Sequence, residues 1–553
     1  MSLVPEVDFP ARYTLTTCTK DSEYRNVKSI PSTLSKQEDT DWEFTSLFSR
    51  QACGLLVQYA AAGTVYGTLP AVIVPFLSYY LNTQASVLAL APAMLSIPWA
   101  LKSVIQLLFD TVRIFGYRHR PCMVIGWTIC CSCFLFMAFL PMPQPYYLDN
   151  ALRDKRPMDY TSDDLKGINF HAQDIGNKYM LCMALATLGH LIADSSADAI
   201  VIEYTQRDTK FAQGHFQTVI YSVRTLFMTA SQIFIGLSLN SPLYGGHFSF
   251  GLSFVQVMTI ISFLLIPVIP MTWLFVREEK FVPRSLARHM EAVWDAVQSR
   301  TLYQIIAFNF LSSVCSGVTL VVHYPVIMYW VKASTLMVTM AGIIGNVVFA
   351  MTLITTGKYG IQWNWRATTA IITLAGILLN ATCTLLTAFD RVRNQWFWLG
   401  VLILENIPSA VAFVISTYTI AEFGGCETEG ACYRLLTFVS NLGTPFGIIL
   451  TKNVNSFFNL RNEDIQNDSS RTRQDVALLS VISYAFKLCT LLFLCWLPRQ
   501  RRHVQELKTI DRKNRFMGII TLAYLSLAGI WVMTVSLLSM FDSTKCLSFL
   551  GGC

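Results

Sequence analysis

The chain has 553 residues and a formal net charge of +7; 53% of its residues are hydrophobic, only 14% are charged, and its mean hydropathy is +0.44. A soluble protein carries roughly a quarter charged residues, so that class is excluded. Apolar runs close to the ~20 residues that cross a hydrocarbon core of about 30 Å recur along the chain. They are continuous rather than alternating, so they read as helices rather than barrel strands, and the expectation is an all-α polytopic membrane protein.

Residues 1–51 lack the apolar core of a signal peptide, and their acids argue against an organelle transit peptide, so they read as a cytosolic N-terminal tail. Spans follow at roughly 53–81, 84–110, 121–142, 179–204, 214–239 and 248–276, a first six-helix bundle over 52–276. After a polar linker, 277–302, come spans at 303–330, 335–356, 367–388, 396–421, 431–451 and 475–497, a second bundle over 303–497. The remainder, 498–553, is a basic stretch and then "MGIITLAYLSLAGIWVMTVSLLSM" at 517–540, a thirteenth span. In the linker, Leu286, Met290, Val293, Trp294 and Val297 fall on one helical face; such a helix lies in the headgroup region or receives a partner.

Arginine and lysine set the orientation. The loop after span two carries Arg113, Arg118 and Arg120, the linker holds five more cations, and the stretch after span twelve holds seven. The opposite loops at 82–84 and 241–248 have none, and in 144–178 acids outnumber cations. The N-terminus and linker are therefore expected in the cytosol, and Cys553 outside. Of the 15 cysteines, Cys130, Cys131, Cys133, Cys182, Cys383 and Cys489 lie in spans as packing residues; Cys546 and Cys553, on the expected outer tail, are the pair that a disulfide would join. Asn467, in "NDS", is a possible glycosylation acceptor.

Two six-helix halves about a cytosolic linker suggest a secondary transporter with its site between the halves at mid-membrane. At the end of span two, Asp110 is followed by Gly116 and by Arg118-His119-Arg120. That order resembles the cytosolic signature loop of the major facilitator superfamily, in which an acid at a helix end facing arginines acts as a latch between helices. Asp110, Arg113, Arg118 and Arg120 are its candidates here. Simple positive-inside anchoring would explain the arginines but not Asp110.

The likeness extends further. "GLLVQYAAAGTVYGTLPAVIVPFLSYYLN" (54–82), "PWALKSVIQLLFD" (98–110), "IFGYRHRPCMVIGW" (114–127), "DSSADAIVIE" (194–203) and "LPRQRRHVQEL" (497–507) together resemble the folate–biopterin transporter family; the last of them, with "MFDSTKCLSFLGGC" (540–553), looks most like its kinetoplastid branch. Cys122 and the Ser195-Ser196 pair depart from that pattern. The resemblance implies a plasma-membrane carrier of folates or pteridines, with S-adenosylmethionine the alternative cargo of some branches.

Charges inside the spans are costly and therefore informative, at about 2.5–3.5 kcal/mol for a central one. In span four, His190, Asp194 and Asp198 recur at steps of four on one stripe. At 1.5 Å per residue, Arg224 in span five sits at the depth of Asp194, and Lys102 in span two near that of Asp198. They are either a buried ion network holding the first bundle together or a site where a pair opens to substrate or proton. His190, Asp194 and Asp198 suit a metal by ligand type, but without cysteine or a second histidine no metal is expected. In the second half, Glu405 lies on span ten beside Asn406, and Lys487 on span twelve.

A pterin ring offers adjacent N–H donors to a carboxylate and a flat face to an aromatic ring, and a folate tail calls for arginine or lysine. Asp194 or Asp198 would meet the ring, and Arg224, Lys102 or Lys487 the tail. Tyr66, Trp99 and Tyr221 are candidate stacking faces. No P-loop, nucleophile elbow or metalloprotease helix occurs, so neither an enzyme nor an ATP-driven pump is expected. No cofactor or nucleic-acid partner is implied; an ion gradient would drive symport, and a channel or a non-transporting receptor is the competing class.

Overall fold

A computed structural model of the chain describes residues 50–111, 114–207, 215–278, 286–360, 363–423, 429–458, 460–500, 503–504, 506–507 and 512–539. The first half consists of α1 (Arg50–Val72, continued by a π-helix Ile73–Tyr80), α2 (Ala91–Thr111), α3 (Arg120–Phe139), α4 (Ala172–Arg207), α5 (His215–Ser238) and α6 (Phe254–Leu265 with Val268–Phe275). The linker helix is α7 (Leu286–Val297). The second half has α8 (Arg300–Gly317), α9 (Thr335–Tyr359), α10 (Trp365–Ala388), α11 (Gln395–Leu404 with Asn406–Phe423), α12 (Glu429–Asn455) and α13 (Ser470–Cys489), and α14 (Arg515–Leu538) is the additional helix. Cys546 and Cys553 lie outside the described residues.

Eleven helices among the described residues are long and apolar enough to cross a membrane. The two bundle helices that fall short are α8 and α12, and they pack on each other. Span seven, expected as one run over 303–330, is broken after Gly317 and resumes at His323. The backbone freed by the break finds partners: Ser483 Oγ donates to Val318 O (2.8 Å) and Thr319 N donates to Thr451 Oγ1 (3.1 Å). Such satisfaction is what permits irregular backbone at membrane depth.

Glycine sets the helix pairing. A Cβ on Gly63 or Gly67 of α1 would lie 2.2 or 2.3 Å from the carbonyl oxygen of Arg224 or Met228 on α5. In the second half, Gly447 of α12 approaches Val314 O of α8 as closely, at 2.3 Å. Small residues four apart let membrane helices approach to backbone contact. The halves meet where α2 packs on α12 and α5 on α9.

The linker helix packs on the second half and on α14. Its C-terminal half docks on α8, α12 and α14, burying Ala296, Val297 and Gln298, while Met290 stays exposed. Backbone bonds from Asn514 N to Gln298 O (2.8 Å) and from Arg300 N to Arg512 O (3.3 Å) tie the start of α14 to this linker. On the face opposite the linker, Gln466 Nε2 donates to the carbonyls of Leu152, Arg153 and Lys155 (2.8–3.3 Å), joining the two halves. Asp468 there takes Arg393 Nη1 at 2.6 Å and Arg473 Nη2 at 2.7 Å. Burial raises its pKa, but those hydrogen bonds and charges outweigh burial and hold the carboxyl below the usual range.

Candidate functional site

Three helices bring four of the expected charges together. On α4, the steps of four put His190, Asp194 and Asp198 on the stripe that faces α2 and α1. Lys102 Nζ of α2 lies 3.0 Å from Asp198 Oδ2 and 3.7 Å from Asp194 Oδ2. Arg224 of α5, set in depth by the Gly63 contact, has Nη1 3.7 Å from Asp194 Oδ1. All four are buried or nearly so; the Asp198 side chain, 15% exposed, is the most accessible.

Aromatic rings wrap the cations. Lys102 Nζ stands 5.4 Å from the centre of Trp99, and the Arg224 guanidinium stands 5.7 Å from Trp99 and 5.6 Å from Tyr66. Each is a cation–π contact, strengthened where water is excluded. Tyr66 and Trp99 meet edge to face at 5.6 Å, and with Leu69, Leu95, Thr187 and His190 they line a small cleft beside the ions. The third expected stacking face, Tyr221, instead packs edge-on against Tyr59 at 5.9 Å.

Buried polar groups are ordinarily hydrogen-bonded, and here several are not. Neither nitrogen of His190, neither oxygen of Asp194, nor Nε and Nη2 of Arg224 has a hydrogen-bond partner in the protein. Asp194 is held by charge at 3.7 Å, beyond hydrogen-bond reach. The His190 imidazole and two aromatic faces thus line the cleft, with the Asp194 carboxylate and the Arg224 guanidinium packed beside it. Among the described residues, no three His, Cys, Asp or Glu side chains converge as a metal site would require.

Other members escaped sequence reading. Tyr59 hydroxyl donates to Asp198 Oδ1. Trp127 Nε1 donates to Gln58, whose Nε2 donates to Thr272 Oγ1 at 2.8 Å, and Trp127 stacks on His190 with centroids 6.2 Å apart. These scattered polar residues carry no periodic signal; the pair Gly63 and Gly67, in "AAAGTVYG", was the legible clue to the α1–α5 contact.

In the second half, Glu405, at the junction within α11, and Lys487 of α13 lie within electrostatic reach of each other, and neither joins the α2–α4–α5 network. Of the expected latch, Arg113 and the side chain of Asp110 lie outside the described residues. The acid that meets the turn is Glu278, beyond α6: its carboxylate accepts from the backbone N of Arg118, His119 and Arg120, each at 2.9 Å. It sits where the helix dipole of α3 favours an anion. Arg120 donates to Trp273 O and stacks on Tyr117 and Trp273. Arg118 Nε donates to His119 Nε2; burial, then the Arg118 charge, pushes the His119 pKa down to about 3.

Residues 65–152 match the BT1 family. That stretch carries Tyr66, Trp99 and Lys102 of the cleft and the α2–α3 turn. Over 436 residues, 75% of either chain, the sequence is 22% identical to the folate-biopterin transporter of Synechocystis sp.. Among solved structures, the fold is similar to a mutant form of the nucleoside transporter NupG (TM-score 0.53, 12% identity, 80% of this chain and 99% of that one). It is also similar to a D-xylose-proton symporter (TM-score 0.51, 12% identity, 79% and 97%). These likenesses establish a major-facilitator fold of two six-helix bundles, to which α14 is added. Fold and relatives are those of membrane transporters rather than enzymes.

Proposed function

We propose that the protein is a secondary carrier of folate- or pteridine-type substrates, working by alternating access with ion coupling, and that the cleft of Tyr66, Trp99, Lys102, His190, Asp194, Asp198 and Arg224 receives the substrate. The observation that carries this reading is the placement of unpartnered Asp194 and Arg224 atoms beside two aromatic faces. A pterin ring would stack on Trp99 or Tyr66 and give its N–H pair to a carboxylate, and an anionic tail would seek Arg224 or Lys102. Asp198, the most accessible acid, holds both a lysine and a phenol and is the proton-coupling candidate. Lys487 and Glu405 would serve the other half. With the linker face taken as cytosolic, the Gln466 bonds that join the halves on the opposite face support a carrier closed to the outside. The N-terminus then lies in the cytosol, and the plasma membrane is the site of action.

Uptake by transporter-deficient cells tests this. Radiolabelled folate and biopterin should enter saturably, compete with each other, and fail to enter through Asp194→Asn. Saturable uptake of S-adenosylmethionine that neither pteridine nor folate inhibits would overturn the substrate assignment.

A further inference from the structure

Two stretches that the transport reading leaves unused align residue for residue: "PFLSYYLNT" (75–83) and "PVIMYWVKA" (325–333). They occupy equivalent places, one ending the first helix of the first half and the other resuming the first helix of the second half. Both are π-helical, over Ile73–Tyr80 and Val326–Val331. Both end at a left-handed residue, Asn82 (φ 47°) and Lys332 (φ 52°). The same backbone bond closes both turns, from Thr83 N to Leu77 O (2.9 Å) and from Ala333 N to Ile327 O (3.2 Å). Isolated π-turns and left-handed non-glycine residues are strained features held by their surroundings, often at functional points.

What holds them comes from the opposite half: Asn462 Nδ2 donates to Asn82 O, Asn82 Oδ1 and Thr83 O (3.0–3.2 Å), and the two turns also hold each other. Tyr79 hydroxyl donates to Ala333 O at 2.6 Å, on the second turn; Tyr329, its counterpart, donates to Asn82 Oδ1 at 3.0 Å, on the first. Ser78 and Met328, also counterparts, touch across the axis with Oγ and Sδ 3.9 Å apart. The next pair behaves differently. Tyr80 donates to Pro143 O (2.9 Å) and Trp330 Nε1 to Ile465 O (2.7 Å), each inside its own half. An arginine from an equivalent loop covers a ring on either side, Arg153 over Tyr79 at 5.2 Å and Arg393 over Trp330 at 4.5 Å. Tyr79 and Tyr329 are 5% and 8% exposed, so these cross-axis bonds are shielded from water.

We propose that Tyr79 and Tyr329 are a two-fold-related gate on the face opposite the linker. Each hydroxyl locks the strained turn of the other half, Asn462 sharing the lock on the first turn, and opening that face requires these bonds to release together. Tyr80 and Trp330 anchor each turn to its own half and travel with it. The transport consequence rests on the proposed carrier function; the gate itself is a property of the two halves and can be read without any substrate.

The test uses full-length protein in nanodiscs carrying Ser78→Cys, a near-isosteric reporter 4% exposed at the seam. A charged thiol reagent is added, and modification of residue 78 is followed by mass spectrometry of its peptide, which separates it from the native cysteines. Tyr79→Phe and Tyr329→Phe should each speed modification about fivefold, the factor carried by one ordinary buried hydrogen bond, and the pair together by more. Tyr80→Phe, which removes a bond within one half, should leave the rate unchanged. A size-exclusion profile matching the parent shows that each variant is folded. Modification no faster in Tyr79→Phe/Tyr329→Phe than in Tyr80→Phe would overturn the gate. Faster modification in a protein that moves no folate or pteridine would sustain the gate and defeat the substrate assignment alone.

Discussion

Asp194 is shared, and that makes its removal worse than removal of Arg224. The carboxylate lies 3.7 Å from Arg224 Nη1 and 3.7 Å from Lys102 Nζ, while Lys102 also holds Asp198 at 3.0 Å. At 3.7 Å and an effective dielectric of about 20, one such contact is worth about 4.5 kcal/mol of Coulomb energy. Desolvation of both ions offsets part of that, so a measured coupling of about 2 kcal/mol is expected. Asp194→Ala strands Arg224 between Tyr66 and Trp99 with no carboxylate in contact, and should destabilise by about 3 kcal/mol or more. Arg224→Ala leaves Asp194 its lysine and should cost roughly half as much. In Asp194→Ala/Arg224→Ala both ends of the pair are gone, so the double variant should be more stable than Asp194→Ala alone. The assay is the apparent melting temperature of the solubilised protein, read as the folded peak on size-exclusion after heating, with the wild type alongside. Losses that simply add across the two sites would refute the pairing, and an Arg224→Ala variant less stable than Asp194→Ala would refute the sharing of Asp194.

Other outcomes follow from the same geometry. The folded pKa of Asp468 is depressed, so its stabilisation is fully present above the unfolded value near 4 and is lost as pH falls through the folded value; thermal stability of the wild type should therefore decline below about pH 4, and that acid-linked decline should be smaller in Asp468→Asn, which starts less stable at pH 7. Gly63→Val places a side chain against Arg224 O where even a Cβ would be at 2.2 Å; it should push α5 away and cut folded yield and uptake together, whereas Gly342→Ala, whose Cβ would meet nothing within 4 Å, should be neutral in both assays. Glu278→Gln removes the anion that three backbone N–H groups of the α2–α3 turn share. Like Asp110→Asn, it should slow exchange transport while surface expression persists, and unchanged exchange in both would make the turn a simple anchor.

Much of the fold is written in the apolar runs, since a helix must bury its own backbone bonds to cross lipid. The depth match of Arg224 with Asp194 and of Lys102 with Asp198 was legible because the rise per residue is fixed. Other parts depend on neighbours that no local pattern records. "GVTLVVHYP" reads as continuous helix until Ser483 and Thr451 are seen to satisfy its broken backbone. Glu278 follows Arg277 in a polar stretch and looks like solvated charge until the α3 terminus arrives above it. Tyr59 and Gln58 resemble any polar residue on a packed span, and their partners come from α4, α3 and α6. Tyr221 is aromatic and at a suitable depth, yet it packs on Tyr59, because spacing along one helix does not say which face its neighbours leave open.

Counterflow tests the central claim most directly. Purified protein is reconstituted into liposomes loaded with unlabelled biopterin or folate, and tracer entry of the same compound is followed with no ion gradient imposed. A carrier with its site in the α2–α4–α5 cleft should show a transient overshoot of tracer that saturates with concentration, persists in Tyr80→Phe, and disappears in Asp194→Asn folded protein. Tracer that enters linearly without overshoot, or an overshoot undiminished in Asp194→Asn, would contradict it.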